Sequence, residues 1–439
     1  MIRTYQEAVD YLDRHIGRGM HPGLERITGL MDLMGRPDRA YPIVHVAGTN
    51  GKTSTARMTT MLLVAHGLTT GTFVSPHLER IEERISLNGF VASAEQFTQA
   101  VADVAAFADI YEERFEAPLS YFELTAAMAF AFFADQAADA AVVEVGLGGR
   151  LDATNVCEGQ VAVLTEVGLE HTEYLGDTIE LITAEKLGIV ENGATLVTGD
   201  LVVDAWPVVE SVVAERGATE LRFGRDFHIE AASRSIHGWR LAVSGVHGTY
   251  EDIHLPIHGR HQTVNFATAV AAAEALMDHT LDPDAVVDAA SVMSAPGRME
   301  PLATEPLVLA DGAHNPDGFE ALGAALREEF PSTTWTLLTG AMRDKDVETM
   351  YASLSGLIDH AVTTNVDSPN AIGAEELRTR LLPVIGSKIE AITDVATALA
   401  HARDIAGSDG SVLVAGSLYL VGVVRALLAG AAGPHPNER

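Results

Sequence analysis

Residues 44–55, VHVAGTNGKTST, hold the densest chemistry-bearing pattern in the chain. An apolar run leads into Gly48-Thr49-Asn50-Gly51-Lys52-Thr53-Ser54, and a helical period follows at once. Glycines let backbone N–H groups turn inward around phosphate oxygens, and a helix N-terminus adds positive potential. Lys52 would reach the β/γ-phosphates and Thr53 would ligate Mg²⁺. Val46 stands where the first glycine of the usual G-x-x-x-x-G-K-[ST] spacing belongs. The stretch is read as an ATP site, against the alternative of a glycine-rich turn carrying an incidental lysine.

Two further groups point the same way. Glu144 ends the apolar run AVVEV (141–145) just before a glycine-rich turn. An acid at that depth is unfavourable unless it binds something. His171 follows another run, AVLTEV (162–167), so both should project from one carboxyl edge of a parallel sheet, where α/β folds bind ligands. The chain has only four lysines, Lys52, Lys186, Lys345 and Lys388, beside 25 arginines. A primary amine acts as a compact point charge or forms covalent adducts, which a guanidinium does not.

The positioning elements follow from periodicity. Short apolar runs at 43–47, 141–145, 162–167 and 194–197 alternate with helical stretches, such as the one from Lys52 to His66. That alternation predicts a P-loop-type parallel sheet flanked by helices. Alternating residues at 220–260 predict added antiparallel strands, and a helix follows from Val264 to Met277. SAPGRMEP (294–301) reads as a hinge. The α/β pattern then restarts at 307–311, 335–340, 361–366 and 412–416. The expected domains are therefore 1–296 and a smaller, Rossmann-like α/β domain at 297–439. At the N-terminus Tyr5, Val9, Leu12 and Ile16 fall at helical spacing. The apolar stretch 412–433 is divided by Gly416-Ser417 and holds Arg425, so it reads as strand, turn and helix rather than a membrane span.

Composition limits the partners. Hydrophobic residues make up 47% of 439, enough for packed cores. One cysteine, Cys157, excludes a disulfide framework and reads as structural. A net charge of -32 repels nucleic acid and anionic lipid. A soluble, cytoplasmic, monomeric protein acting on small molecules is expected.

GTNGKT resembles the phosphate loop of the Mur-type ligases. SPHLERIEERISLNG (75–89), YFELTAAMAF (121–130), EVGLGGRLDATNV (144–156), HTEYLGDTIELITAEKLGIV (171–190), GRHQTVNFATAV (259–270), PGRMEP (296–301), DGAHNP (311–316) and DKD (344–346) resemble one branch, the folylpolyglutamate synthase/dihydrofolate synthase family, in family order. Departures are Thr53, where that family usually has glycine, and Glu170, where it usually has aspartate.

The resemblance implies an ADP-forming ligase that adds L-glutamate to a pterin carboxylate through an acyl phosphate, converting dihydropteroate to dihydrofolate or extending reduced folates. It implies ATP contacts from the 48–54 loop, Asn265, Arg298, Asp311 and His314. It places a pterin at Ser120, Tyr121, Phe122 and Glu123, and at Leu151, Asp152 and Ala153. Catalytic roles fall to Lys52, Glu144, His171 and Lys186. Two Mg²⁺ ions would use Ser75, Glu144, His171 and a carbamylated Lys186. The C-terminal domain would close over ATP and glutamate. Asp344, Lys345, Asp346 and Ser417 are glutamate candidates, with helix capping equally open for the DKD residues; Lys388 reads as surface. The remaining alternatives are a divergent Mur-type amino-acid ligase on another acid and a P-loop ATPase that does not ligate.

Overall fold

A computed structural model describes residues 2–17, 23–386 and 388–432. The chain divides into two units. One comprises 1–233, 240–255 and 262–293; the other comprises 234–239, 256–261 and 294–439.

The first unit is built on an eight-stranded sheet: β1 (Ile43–Ala47), β2 (Thr70–Phe73), β3 (Ile85–Leu87), β4 (Phe90–Val91), β5 (Ala140–Glu144), β6 (Val161–Leu164), β7 (Thr195–Thr198) and β8 (Thr219–Arg222). Their order is β4-β3-β2-β5-β1-β6-β7-β8. The pairings from β2 across to β8 are parallel, and only the β2–β3 and β3–β4 pairings are antiparallel, so β3 alone is reversed. β1 is buried at every position, as a strand covered by helices on both faces must be. It lies between β5 and β6, with Val46 opposite Glu144 and Ala47 opposite Leu164. This register brings the phosphate loop, Glu144 and the chain after Leu164 to one edge.

The helix Tyr121–Asp135 packs its apolar run into the core, with Phe130 and Phe133 fully enclosed. The N-terminal helix spans Tyr5–Asp13, fixed by a capping box between Thr4 and Glu7. It stops before Ile16, which is 62% exposed and so does not extend the apolar stripe as expected. Residues 228–255 form a three-stranded sheet in consecutive order, β9 (His228–Ser235), β10 (Gly238–Ser244) and β11 (Thr249–Leu255). Two residues join β9 to β10, a connection that serves only an antiparallel pair.

The second unit carries β12 (Glu300–Thr304), β13 (Leu307–Ala310), β14 (Trp335–Thr339), β15 (Ile358–Thr363), β16 (Ile389–Ala391) and β17 (Ser411–Ala415). Their order is β12-β13-β17-β14-β15-β16, parallel except for β12. The stretch after 411 is the expected strand, turn and helix, the helix being Leu418–Ala432. Among the described residues no helix is long and apolar enough to cross a membrane.

His45, in β1, is completely enclosed. Its Nε2 lies 2.9 Å from Thr154 Oγ1, and that hydroxyl donates to Asp152 Oδ1 at 2.5 Å. Burial lowers the ring's pKa to about 3. Between that value and the ordinary one near ~6.5 the unfolded chain binds the extra proton, so stability falls as pH drops through this window. The group contributes about 1.4 kcal/mol per pH unit there. Urea unfolding is expected to show a stability loss between about pH 7 and about pH 5 that is about 2 kcal/mol smaller in His45→Gln than in the parent. Equal losses would mean that the ring is not held neutral.

Candidate active site

The phosphate loop leaves β1 and is pinned by the chain that follows β6. Thr49 N donates to Glu166 O at 2.6 Å, Gly168 N donates to Thr49 Oγ1 at 3.0 Å, and Thr165 Oγ1 donates to Asn50 O at 2.6 Å. Gly51 has φ +84°, and a Cβ there would lie 2.6 Å from Asn265 Oδ1. Glycine is therefore required at 51, where Asn265 sits against the loop. The helix Lys52–Ala65 starts directly after Gly51.

Two amines converge on one carbonyl. Lys52 Nζ donates to Gly48 O and Thr49 O, both at 3.0 Å. Lys186 Nζ, from the last turn of the helix Ile179–Lys186, donates to Gly48 O at 2.7 Å. Lys186 is 4% exposed. Burial, then repulsion from Lys52, lowers its pKa to about 7, while Glu170 opposes the shift. A sizeable fraction of this amine is neutral and nucleophilic at neutral pH.

Beside the lysines, Thr53 Oγ1 donates to Glu144 at 2.8 and 3.0 Å to its two oxygens, and Ser75 N donates to Glu144 Oε2 at 3.2 Å. Glu144 is 1% exposed. Thr53, Ser75 and Glu144 are thus brought together. His171 opens the short helix Thr172–Leu175 with φ +51°, and its Nε2 lies 3.9 Å from Glu170 Oε1. No cluster of three His, Cys, Asp or Glu side chains able to hold a metal occurs among the described residues.

Ser120 and Glu123 form a capping box on the helix Tyr121–Asp135, and Arg26 pairs with Glu123 at 3.0 Å. Phe122 lies against the Gly146 backbone and packs with Phe73, ring centroids 5.9 Å apart. Tyr121 lies beneath the Arg84 guanidinium, 5.3 Å from ring centroid to Cζ. Leu151 is 38% exposed, whereas Ala153 is buried. Asp152 accepts from Leu147 N at 2.8 Å, Thr154 N at 3.0 Å and the Thr154 hydroxyl. Its carboxylate, raised in pKa chiefly by burial, thus holds the 147–154 loop closed. With a further backbone hydrogen bond from Gly146, these contacts occupy the roughly four acceptor positions of the carboxylate.

Within the second unit, Arg298, Asp311 and His314 gather around Gly312. Asp311 accepts from Met299 N at 2.9 Å and Ala313 N at 2.7 Å; His314 Nδ1 lies 2.7 Å from Gly312 O. A Cβ on Gly312 would meet Arg298 Nη1 at 2.3 Å. Asp346 caps the helix Val347–Ala352, and Asp344 lies 3.6 Å from Lys345. Ser417 sits at the turn before the helix Leu418–Ala432; its hydroxyl is buried without a hydrogen-bond partner. Lys388 is exposed and pairs with Asp359 at 3.0 Å. Sequence reasoning missed the Gly48 carbonyl as a shared acceptor and the Thr53–Glu144 bond, because both join residues far apart in the chain.

A strand, a glycine loop, a helix that opens with lysine and hydroxyl, and a buried carboxylate at the end of the neighbouring strand form a phosphate-loop site, and the family matches make the chain an ATP-dependent ligase of the Mur type. The Mur ligase middle domain model matches residues 46–273, and the Mur ligase glutamate ligase domain model matches 297–418. The chain is 36% identical over 437 residues to the dihydrofolate synthase/folylpolyglutamate synthase of Mycobacterium tuberculosis, covering 92% of this chain and 90% of that protein. It is 33% identical to the Bacillus subtilis protein of the same name, covering 97% and 99%. The solved Mycobacterium tuberculosis folylpolyglutamate synthase complexed with ADP superposes with a TM-score of 0.92 at 35% identity, covering 97% and 98%. Escherichia coli FolC in complex with DHPP and ADP gives 0.87 at 30% identity, covering 98% and 99%. The chain belongs to the folylpolyglutamate synthase/dihydrofolate synthase family, ligases that couple ATP cleavage to glutamate addition on folates.

Removing the Lys52 amine takes away the cation that the loop holds on Gly48 O and Thr49 O. Lys52→Ala should lower ligation at least about 100-fold with unchanged far-UV circular dichroism. Near-parental turnover in the folded variant would overturn this role.

Proposed function

We propose that this chain forms dihydrofolate from dihydropteroate and glutamate and also extends reduced folates, in the cytoplasm and as a monomer. The observation that carries the reading is the convergence of Lys52 and Lys186 on Gly48 O beside the Thr53–Glu144 pair. Two anions must meet here, ATP and a carboxylate, and the Lys52 ammonium, together with metal when bound, offsets their repulsion, while the buried Lys186 amine is the group that can be converted to a metal ligand.

The Thr53 hydroxyl and Glu144 carboxylate are hard oxygen donors of the kind Mg²⁺ takes together with phosphate oxygens and water. Ser75, His171 and Lys186, as a carbamate, would complete the ligands of two such ions. When bound, Mg²⁺ supplies charge neutralisation on the phosphates and keeps them in line. The 48–54 loop binds the phosphates, and Asn265 keeps that loop in shape. Lys52 stabilises the charge that moves from the γ-phosphate to the leaving ADP. The pterin acid lies between residues 120–123 and 151–153, with Phe122 as a stacking face and Asp152 fixing the loop beside it. Its carboxylate becomes an acyl phosphate, and the glutamate amine displaces phosphate to form the amide. Arg298, Asp311 and His314 belong to the nucleotide. In the same unit, the unpartnered Ser417 hydroxyl at a helix N-terminus suits a glutamate carboxylate.

The deciding assay is phosphate release with Mg-ATP and glutamate, adding dihydropteroate or tetrahydrofolate in turn. Phosphate release that ignores both acids would favour a non-ligating ATPase, and release only with another acid would favour a divergent amino-acid ligase. Ser417→Ala is expected to raise the KM for glutamate about tenfold while leaving the KM for ATP unchanged; an unmoved glutamate KM removes Ser417 from that site.

Carbamylation joins the neutral amine to CO₂ and releases a proton, so at constant dissolved CO₂, activity should rise with pH through about 7, the pKa of Lys186. Lys186→Ala should be nearly inactive and regain part of its activity with added acetate, and Lys186→Arg should remain inactive. A fully active arginine variant would show that Lys186 acts as a simple cation.

A further inference from the structure

The segment 146–155 is locked against the segment 185–188 by contacts that the chemistry above does not use. A Cβ on Gly149 would lie 2.6 Å from Lys186 O and 2.7 Å from Glu185 O, so the two backbones touch. A Cβ on Gly188 would lie 2.5 Å from Arg150 Cα. Arg150 N donates to Glu185 O at 2.8 Å, and its guanidinium donates to Glu185 Oε1 at 3.1 and 2.6 Å. Across this seam Asn155 Nδ2 donates to Arg150 O and to Gly188 O, each at 3.1 Å.

The seam has a functional group at either end. At one end Gly146 abuts the Phe122 ring and Leu147 N binds Asp152. At the other, Lys186 reaches Gly48 O of the phosphate loop. Close-packed backbone transmits displacement rather than absorbing it. We propose that Asn155 is a positioning residue that couples occupancy of the acid pocket to the placement of Lys186, a proposal resting on the pterin-pocket reading above. Both amide protons of Asn155 are committed to carbonyl oxygens on different segments. The isosteric Asn155→Asp sets an acceptor against two acceptors and opens the seam, whereas Asn155→Gln retains the donors.

The test uses the scarcity of lysine. In bicarbonate-free buffer, trace acetic anhydride labels Lys52, Lys186, Lys345 and Lys388, and mass spectrometry reads each one with and without dihydropteroate. In the parent, dihydropteroate should change the Lys186 labelling rate about threefold and leave Lys388 unmoved. In Asn155→Asp that response should vanish while dihydropteroate still binds. The same variant should lose about tenfold in kcat with the KM for ATP within about twofold, and Asn155→Gln should recover part of both. If Asn155→Asp does not fold, Asn155→Ser, which keeps a donor for one carbonyl, gives the same comparison. A variant that keeps the parental Lys186 response and kcat overturns the proposal. A parent that binds dihydropteroate without altering Lys186 labelling sinks the coupling alone; a parent that binds no pterin acid sinks the pocket reading with it.

Discussion

Two ammonium groups directed at one carbonyl oxygen are the constraint around which the first unit is organised. Lys52 and Lys186 both donate to Gly48 O, and the Lys52 charge disfavours that of Lys186. In water such a pair would separate. Here Lys186 is buried, so its charge is offset by binding an anion or removed by losing a proton. A protein of net charge -32 repels anions over most of its surface, and the Lys52 ammonium offsets that repulsion locally at the glycine loop.

That arrangement demands a rigid frame, and the frame is the sheet. β1 lies between β5 and β6, which puts the phosphate loop between Glu144 and the 165–168 segment that pins it. Glu144, though buried, is not stranded, because the Thr53 hydroxyl and the Ser75 N–H reach it.

What could be read from sequence was whatever is contiguous. The strands at 43–47, 141–145 and 307–311 declare themselves through apolar runs, and the loop through its glycines and lysine. Thr70–Phe73, a threonine- and glycine-rich TGTF, is buried at all four positions yet lacks the aliphatic run that marks a core strand. The N-terminal apolar spacing included Ile16, but the helix ended at Asp13 and left it exposed. Contacts between distant segments were beyond such reading. The Lys186–Gly48 bond spans 138 residues. The resemblance placed Asp152 beside a pterin, but its commitment to Leu147 N and Thr154 depends on a loop conformation that composition does not encode.

The distribution of lysine gains meaning from these surroundings. Lys388 lies on the surface in a simple ion pair with Asp359, a setting where arginine serves as well. Lys52 and Lys186 sit where it does not. A guanidinium is a broad, planar group that stays charged at any pH the protein meets. At position 186 it would put a permanent cation and five donors into a space that offers Gly48 O and the neighbouring Lys52 charge. At position 52 it would spread the charge that the loop concentrates on one nitrogen between Gly48 O and Thr49 O. The amine at 186 can shed its proton because burial and Lys52 lower its pKa to about 7. In an arginine-rich chain, lysine is thus placed where a small charge is needed and, at one position, where that charge must be removable.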